Sequence, residues 1–97
     1  MPEYIALMHN DATSPERDAD WDAYIQTLNE VGAFRGGSVI GAGQAFRKAG
    51  AAAPVMTHIN GFIRIEARDM PSARALLNGN PTYEAGGTVE IRELPST

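Results

Sequence analysis

The stretch VMTHINGFIRIEAR, residues 55–68, shows a clear alternation of apolar and polar residues. In an extended chain, one side would carry isoleucines and the other mostly polar side chains: Ile59, Ile63 and Ile65 against His58, Asn60, Phe62, Arg64 and Glu66. This period of two predicts a β-strand with one buried face. The second face is too polar for an ordinary core, so something other than the core must cover it.

The residues before this strand predict its hairpin partner. Residues 33–48, AFRGGSVIGAGQAFRK, have strand character interrupted by glycines, and GAG at 41–43 suits a bulge or a bend. The small residues AGAAAP at 49–54 are typical of a flexible tip. We therefore expect two strands joined as a long hairpin.

A helix is predicted upstream of the hairpin. Ser14 is a candidate N-cap, Pro15 suits the first helical position, and Gly32 can end the helix in the left-handed conformation. The apolar residues between them recur at spacings of three and four, which forms a stripe facing a sheet: Trp21, Tyr24, Ile25, Leu28 and Val31.

The rest of the chain supplies a second helix and two more strands. Asp69 can cap a helix through MPSARALLNG, residues 70–79, and Pro81 prevents its continuation. EYIALMH at 3–9 is a short apolar strand, and TVEIREL at 88–94 alternates as a final strand. The order of elements is therefore βαββαβ.

This order predicts an α+β fold in a single domain, residues 1–97. The simplest closed arrangement is ferredoxin-like: a four-stranded antiparallel sheet in the order 4-1-3-2, with two helices on one face. The other face could be solvated or could pack on a second copy. We favour the second copy, because small domains bury little of their own surface. The expected assembly is a homodimer, a dimeric α+β barrel.

Composition limits the partners and the location. The formal net charge is −4, which argues against nucleic acid as a direct partner. There is no cysteine, which excludes disulfides and thiolate chemistry and suits a reducing cytoplasm. The sequence has no apolar run long enough to span a membrane, and its first residues do not resemble a signal peptide. We expect a cytoplasmic protein without a membrane partner.

A candidate site lies where the predicted topology brings strand ends together. Antiparallel pairing of the first and third strands places the two histidines, His9 and His58, at one edge of the sheet. Neighbouring segments add candidate substrate-pocket residues: Asp11, Asp20, Trp21, Asn80 and Tyr83. Because imidazole titrates near neutral pH, His58 or His9 would be the acid or base of an enzyme with this site.

Other readings of these residues stay open. His9, Asp11 and His58 form a two-histidine, one-carboxylate set that could hold a metal ion. The histidines could instead end strands and bond to loops, Trp21 could belong to the core, and Tyr83 could be a turn aromatic. The sequence specifies no cofactor.

Several segments together resemble the YCII-related domain family, whose DGPF-motif branch has a similar tail. They are the helix ending at Gly32, GGSVI at 36–40, NGFIRIEA at 60–67, SARALL at 72–77 and NPTYEAGGTVEIREL at 80–94. The resemblance covers nearly the whole chain. It implies a dimeric α+β barrel of ferredoxin-like subunits.

The chain departs from the family at the residues proposed for catalysis. Some members carry a histidine near the start of the first helix and an Asp-Pro pair before the last strand. The matching positions here are Asp20 or Trp21, and Asn80-Pro81, so neither partner is kept. The DGPF motif is also absent from AAAPVMTHING at 51–61. The resemblance therefore implies where a site lies, and it does not supply the chemistry.

Two functional hypotheses follow. In the first, the protein binds a small organic molecule in a pocket at one end of the barrel, with histidine-based acid–base catalysis left open. In the second, it is a non-catalytic dimerisation or regulatory interaction module. A pocket with convergent polar groups would favour the first hypothesis.

Overall fold

The computed structural model describes residues 1–96; Thr97, the last residue of the predicted domain, lies outside the described residues. The elements are β1 (Glu3–His9), α1 (Asp18–Glu30), β2 (Phe34–Val39), β3 (Ile59–Glu66), α2 (Met70–Ala75), α3 (Pro81–Glu84) and β4 (Val89–Leu94). The four strands form one antiparallel sheet in the order β2-β3-β1-β4. The predicted α+β class and strand order are confirmed, and the arrangement is compatible with a ferredoxin-like fold. The short helix α3 was not expected from the sequence.

One face of the sheet packs against α1 and α2, and we call it the helix side. Its core consists of buried residues from β1, from β3 and the residue after it, and from α1 and α2: Tyr4, Ala6, Met8, Tyr24, Leu28, Ile63, Ile65, Ala67 and Ala73. Burial alternates strictly along β3, which confirms the predicted two-residue period. Asp69 caps α2 as predicted, because its Oδ1 accepts a hydrogen bond from the Ser72 N–H at 2.9 Å.

The opposite face of the sheet, which we call the outer face, mixes ion pairs with half-buried apolar side chains. The apolar residues follow from the alternation and the strand register: Ile5, Leu7, Phe62 and Leu94. Three ion pairs lie among or beside them: Arg64 with Glu3 at 3.4 Å, Arg35 with Glu66 at 2.9 Å, and Arg92 with Glu90 at 3.4 Å. This face has the character that the sequence predicted for the second side of β3.

The connection between β2 and β3 is longer and less regular than the sequence suggests. Strand character was expected as far as Lys48, yet β2 ends at Val39 and β3 begins at Ile59. The Ile40 N–H still donates to the Asn60 carbonyl at 3.0 Å, and the small residues that follow continue without regular structure. The register shift in this hairpin falls between Phe34 and Gly37 rather than at residues 41–43.

Helix α1 begins later than predicted. The sequence indicates a start at Pro15, whereas α1 starts at Asp18. The reason is a tertiary contact: the N–H groups of Thr13 and Ser14 donate to the Ala85 carbonyl at 2.9 and 3.1 Å. These bonds hold the preceding segment against the end of α3, outside the helix.

The C-terminal end of α1 agrees with the prediction at one residue and differs at another. Gly32 has a φ of 72°, the left-handed conformation that favours glycine. Because α1 ends at Glu30, Val31 leaves the predicted apolar stripe and is exposed. Within the described part of the chain, each helix is too short or too polar to cross a membrane.

Candidate functional site

The structure brings the two histidines together at the edge that strand pairing predicts. The ring centroids of His9 and His58 are 5.1 Å apart, with the rings inclined at 64°. The pairing of β1 with β3 shifts register between Met8 and His9. Beyond this shift, the Asn10 N–H donates to the His58 carbonyl at 2.9 Å, which keeps the two segments adjacent.

His9 also contacts a carboxylate that was not among the predicted site residues. Its Nε2 lies 3.0 Å from Glu90 Oε1, and Arg92 approaches the other oxygen of Glu90 at 3.4 Å. The hydrogen bonds from His9 and then Arg92 hold the pKa of Glu90 below its usual range. The order 4-1-3-2 made β4 a neighbour of β1, so this contact was implicit in the predicted topology.

Asp11 fastens a loop rather than joining the histidines. Its Oδ1 accepts from the Thr88 N–H and its Oδ2 accepts from the Thr88 hydroxyl, both at 2.7 Å. These hydrogen bonds lower the pKa of Asp11. Over residues 1–96, no group of three or more His, Cys, Asp and Glu residues is arranged to hold a metal ion, and this includes His9, Asp11 and His58.

The hinge before β4 is a capped turn of helix. Asn80 is fully buried at 0% exposure, and its Oδ1 accepts from the Tyr83 N–H at 3.1 Å, so it is the N-cap of α3. Pro81 occupies the first helical position, as proline can without losing a hydrogen bond. Tyr83 is 43% exposed on this turn. In the structure Asn80 stabilises the hinge from inside.

Tyr24 connects the hinge region to the core. Its hydroxyl donates to the Leu76 carbonyl at 2.7 Å. Burial raises the pKa of Tyr24, and the neighbouring Asn80 amide offsets part of this effect. The phenol is therefore a structural donor between α1 and α2.

A cleft with a volume of about 710 Å³ lies on the helix side, between α1 and the adjoining ends of β2 and β3. Its walls are formed by apolar residues and glycines on the one hand, and by acidic, amide and hydroxyl residues on the other. They are Met8, Trp21, Ile25, Phe34, Gly37, Val39, Gly61 and Ile63, with Glu16, Asp18, Asp22, Ser38, Asn60 and Thr82. We call this the α1 cleft.

Glu16 is fixed at the α1 cleft by two hydrogen bonds. Its Oε1 accepts from the Trp21 indole N–H at 2.9 Å, and its Oε2 accepts from the Thr82 hydroxyl at 3.0 Å. The carboxylate thus joins α1 to α3. No local pattern pointed to Glu16, because it precedes the helix and its partner Thr82 is distant in the chain. Trp21, predicted as both core and pocket wall, lines the cleft and packs partly on the core.

A smaller cleft of about 420 Å³ lies beside the start of α1 and the α2–α3 connection. Asp20 lines this second cleft, together with Tyr24 and Glu84. The Asp20 carboxylate is also paired with Arg17, at 3.1 Å. Among the predicted pocket residues, Trp21 and Asp20 therefore border two different clefts.

The sheet separates the predicted site into two locations. Met8 lines the α1 cleft, and the next residue, His9, turns to Glu90 on the outer face, as alternation along a strand requires. Trp21 and Asp20 lie on the helix side. The expected single cluster is therefore two, one on each side of β1.

The two locations suit different chemistry. A carboxylate held against an imidazole suits proton transfer, whereas a concave site with apolar walls and a few fixed polar groups suits binding of a small molecule. Comparison with protein-family models and with curated proteins finds no match for this chain. What each location does is inferred from its residues and their geometry.

Proposed function

We propose that this protein is a homodimeric α+β barrel of the YCII-related type that binds a small organic molecule in the α1 cleft. The observation that carries the proposal is the cleft itself, with about 710 Å³ of space beside Trp21 and Glu16. Small-molecule sites are typically concave, roughly 300–1,000 Å³ in volume, and apolar with a few oriented polar groups. The α1 cleft has these properties.

The outer face supports the dimeric part of the proposal. In a single copy, Leu7 and Phe62 stay half-buried on a face that carries ion pairs on both sides of them. Packing two such faces together would bury the apolar side chains and leave the charges able to pair across the interface. If this face were wholly solvated, these apolar side chains would contribute little to the stability of the fold.

Acid–base catalysis is a second candidate function, favoured by the contact between His9 and Glu90. Their 3.0 Å separation orients the imidazole, and His58 lies against the same ring. In the proposed dimer this pair would be shielded from bulk water, which strengthens its electrostatic effect. A substrate in the α1 cleft would be on the other side of the sheet, so catalysis here would require a different binding place.

The binding proposal is tested by NMR titration with 2-phenylethanol, a neutral probe with an apolar ring. Trp21 is the only tryptophan, so its single indole N–H signal reports on the α1 cleft. We expect a saturable shift of this signal at millimolar probe. Gly61→Leu should abolish it, because a side chain at Gly61 projects from the cleft wall and its Cβ meets no atom closer than 3.4 Å.

The matched control for this experiment is Gly43→Leu. It adds the same side chain in the β2–β3 connection, where a Cβ would meet nothing within 4 Å. This variant should bind the probe like the parent. Equal binding by Gly61→Leu, or no saturable shift for the parent, would rule out the α1 cleft as the binding site and favour the interaction-module hypothesis.

The dimer is tested separately by sedimentation at micromolar concentration. We expect twice the chain mass for the parent and the chain mass for Phe62→Asp, which places a charge in the middle of the outer face. Val39→Asp, at an exposed residue on the cleft rim, is the control and should leave the mass unchanged. A monomeric parent would contradict the barrel.

A further inference from the structure

We infer that the ligand of the α1 cleft is a small organic cation, an amine attached to an apolar body. The inference rests on the proposed function, since it takes the cleft to be a binding site and assigns the charge of the molecule bound there. It follows from the ionisable groups of the cleft wall, from the fixed position of one of them, and from the apolar surface beside it.

The charge of the cleft wall has one sign. Among the described residues that line it, the ionisable ones are Glu16, Asp18 and Asp22, all carboxylates. The nearest cation in sequence, Arg17, is paired with Asp20 at 3.1 Å and does not line the cleft. An anionic ligand would be repelled by these carboxylates. A cationic ligand would be attracted to them, and this attraction would offset part of the free energy that the cation loses on leaving water.

Glu16 supplies a carboxylate that is already in place. Each of its oxygens accepts one hydrogen bond from the protein, from Trp21 and from Thr82. An ionised carboxylate has about four acceptor positions, so both oxygens can still accept from a ligand. Because the carboxylate is held before binding, little conformational freedom is lost when an ammonium group bonds to it.

The surroundings of Glu16 suit the rest of such a molecule. The Trp21 ring, hydrogen-bonded to this carboxylate, presents an aromatic surface that attracts cations. Met8, Ile25 and Ile63 provide the apolar wall on the core side. An ammonium at Glu16 therefore leaves its hydrocarbon portion against aliphatic side chains.

The test compares three probes of similar shape: 2-phenylethylamine, 2-phenylethanol and 3-phenylpropionate. Each is titrated at pH 7 and roughly 0.15 M salt, where long-range attraction to the net negative protein is screened, and the Trp21 indole signal is followed. We expect the amine to bind at least about fivefold more tightly than the alcohol, because a charge-assisted hydrogen bond is stronger than a neutral one. The carboxylate probe should bind most weakly.

Two variants test whether the stronger binding of the amine depends on the charge of Glu16. Glu16→Gln keeps the shape of the side chain and removes its charge, so the amine and the alcohol should then bind within about twofold of each other. Glu30→Gln makes the same change in net charge at the far end of α1, outside the cleft, and should keep the full preference. Circular dichroism of each variant verifies folding, and the probe series on the parent tests the inference if Glu16→Gln does not fold.

The outcomes separate this inference from the proposed function. Equal binding of the three probes overturns the cationic ligand and leaves the cleft as a binding site. An unchanged amine preference in Glu16→Gln overturns the assigned contact. Absence of binding by all three probes overturns both the inference and the function on which it rests.

Discussion

On the helix side of the sheet, Leu28 is 1% exposed and is covered by elements of its own chain, whereas Leu7 on the outer face stays half-buried. The same residue type therefore has different surroundings on the two faces. The helix side is a completed core with a cleft at its margin, and the outer face is a surface that a second copy can complete. The same substitution should therefore change the free energy of unfolding by different amounts on the two faces.

Leu28→Ala should have the largest effect. Removing a fully buried leucine loses transfer free energy and leaves a cavity, so we expect a loss of about 2–5 kcal/mol in the free energy of unfolding. Leu7→Ala should cost about 1 kcal/mol or less at low protein concentration, because part of that side chain is already exposed. Urea unfolding of both variants measures the difference.

Protein concentration sharpens this comparison. If the outer face is a dimer interface, the loss caused by Leu7→Ala should grow as the protein concentration rises, because association adds to the stability of the parent. The loss caused by Leu28→Ala should change much less. Equal losses for the two variants at low concentration would contradict the assignment of the two faces.

Two glycines of the α1 cleft test how closely the helix side is packed. A Cβ at Gly37 would lie 2.5 Å from the Phe62 carbonyl oxygen and 2.8 Å from Ile63 Cγ2. Gly37→Ala should therefore destabilise the fold by about 1–3 kcal/mol through overpacking. A Cβ at Gly61 meets Ser38 O at 3.4 Å, so Gly61→Ala should be better tolerated.

Thermal unfolding of these two alanine variants measures the effect. The two substitutions add the same methyl group to neighbouring strands, so each is the control for the other. A Gly61→Ala variant less stable than Gly37→Ala would show that the pairing of β2 with β3 differs from the register described here.

The smallest effect is expected from Glu90 on the outer face, and it depends on pH. Contacts with His9 and Arg92 lower the pKa of Glu90 from its ordinary value of 4.5. A lowered pKa in the folded state stabilises the protein above the unfolded value, and this contribution is lost as the pH falls through the folded value. Stability should therefore fall more steeply below about pH 4.5 in the parent than in Glu90→Gln.

Glu93→Gln is the control for this pH dependence, since it removes one carboxylate from the same strand. Urea midpoints for the parent and both variants between roughly pH 3 and pH 6 cover the relevant window. The parent and Glu93→Gln should keep the steeper acid dependence. Identical curves for the parent and Glu90→Gln would show that the contact between His9 and Glu90 contributes nothing to folding.

Much of the fold was predictable because short-range patterns specify it. The two-residue period of β3 and the helical spacing of Tyr24 and Leu28 both reflect which side chains must leave water. The start of α1 was not predictable, because hydrogen bonds from Thr13 and Ser14 to a distant carbonyl displace it from its local capping signal. Local signals fail where a tertiary contact competes with them.

Within the candidate site, the proximity of the two histidines was predictable, whereas the position and lining of the α1 cleft were not. Strand order alone placed His9 beside His58, and their rings are in contact in the structure. The same reasoning grouped Trp21 with His9, although the sheet lies between them. Glu16 was missed, since nothing near it in the sequence indicates that it will bond to Thr82.

By itself, the sequence determined the α+β class, the strand order and the alternation that gives β3 one apolar and one polar side, because these depend on residue spacing and on burial of apolar groups. Only the tertiary structure decided that a cleft lies between α1 and the sheet beside Met8, apart from the two histidines. It also decided where Glu16 is held. The physical reason is that hydrogen bonds between distant segments depend on positions in space, which no local pattern encodes.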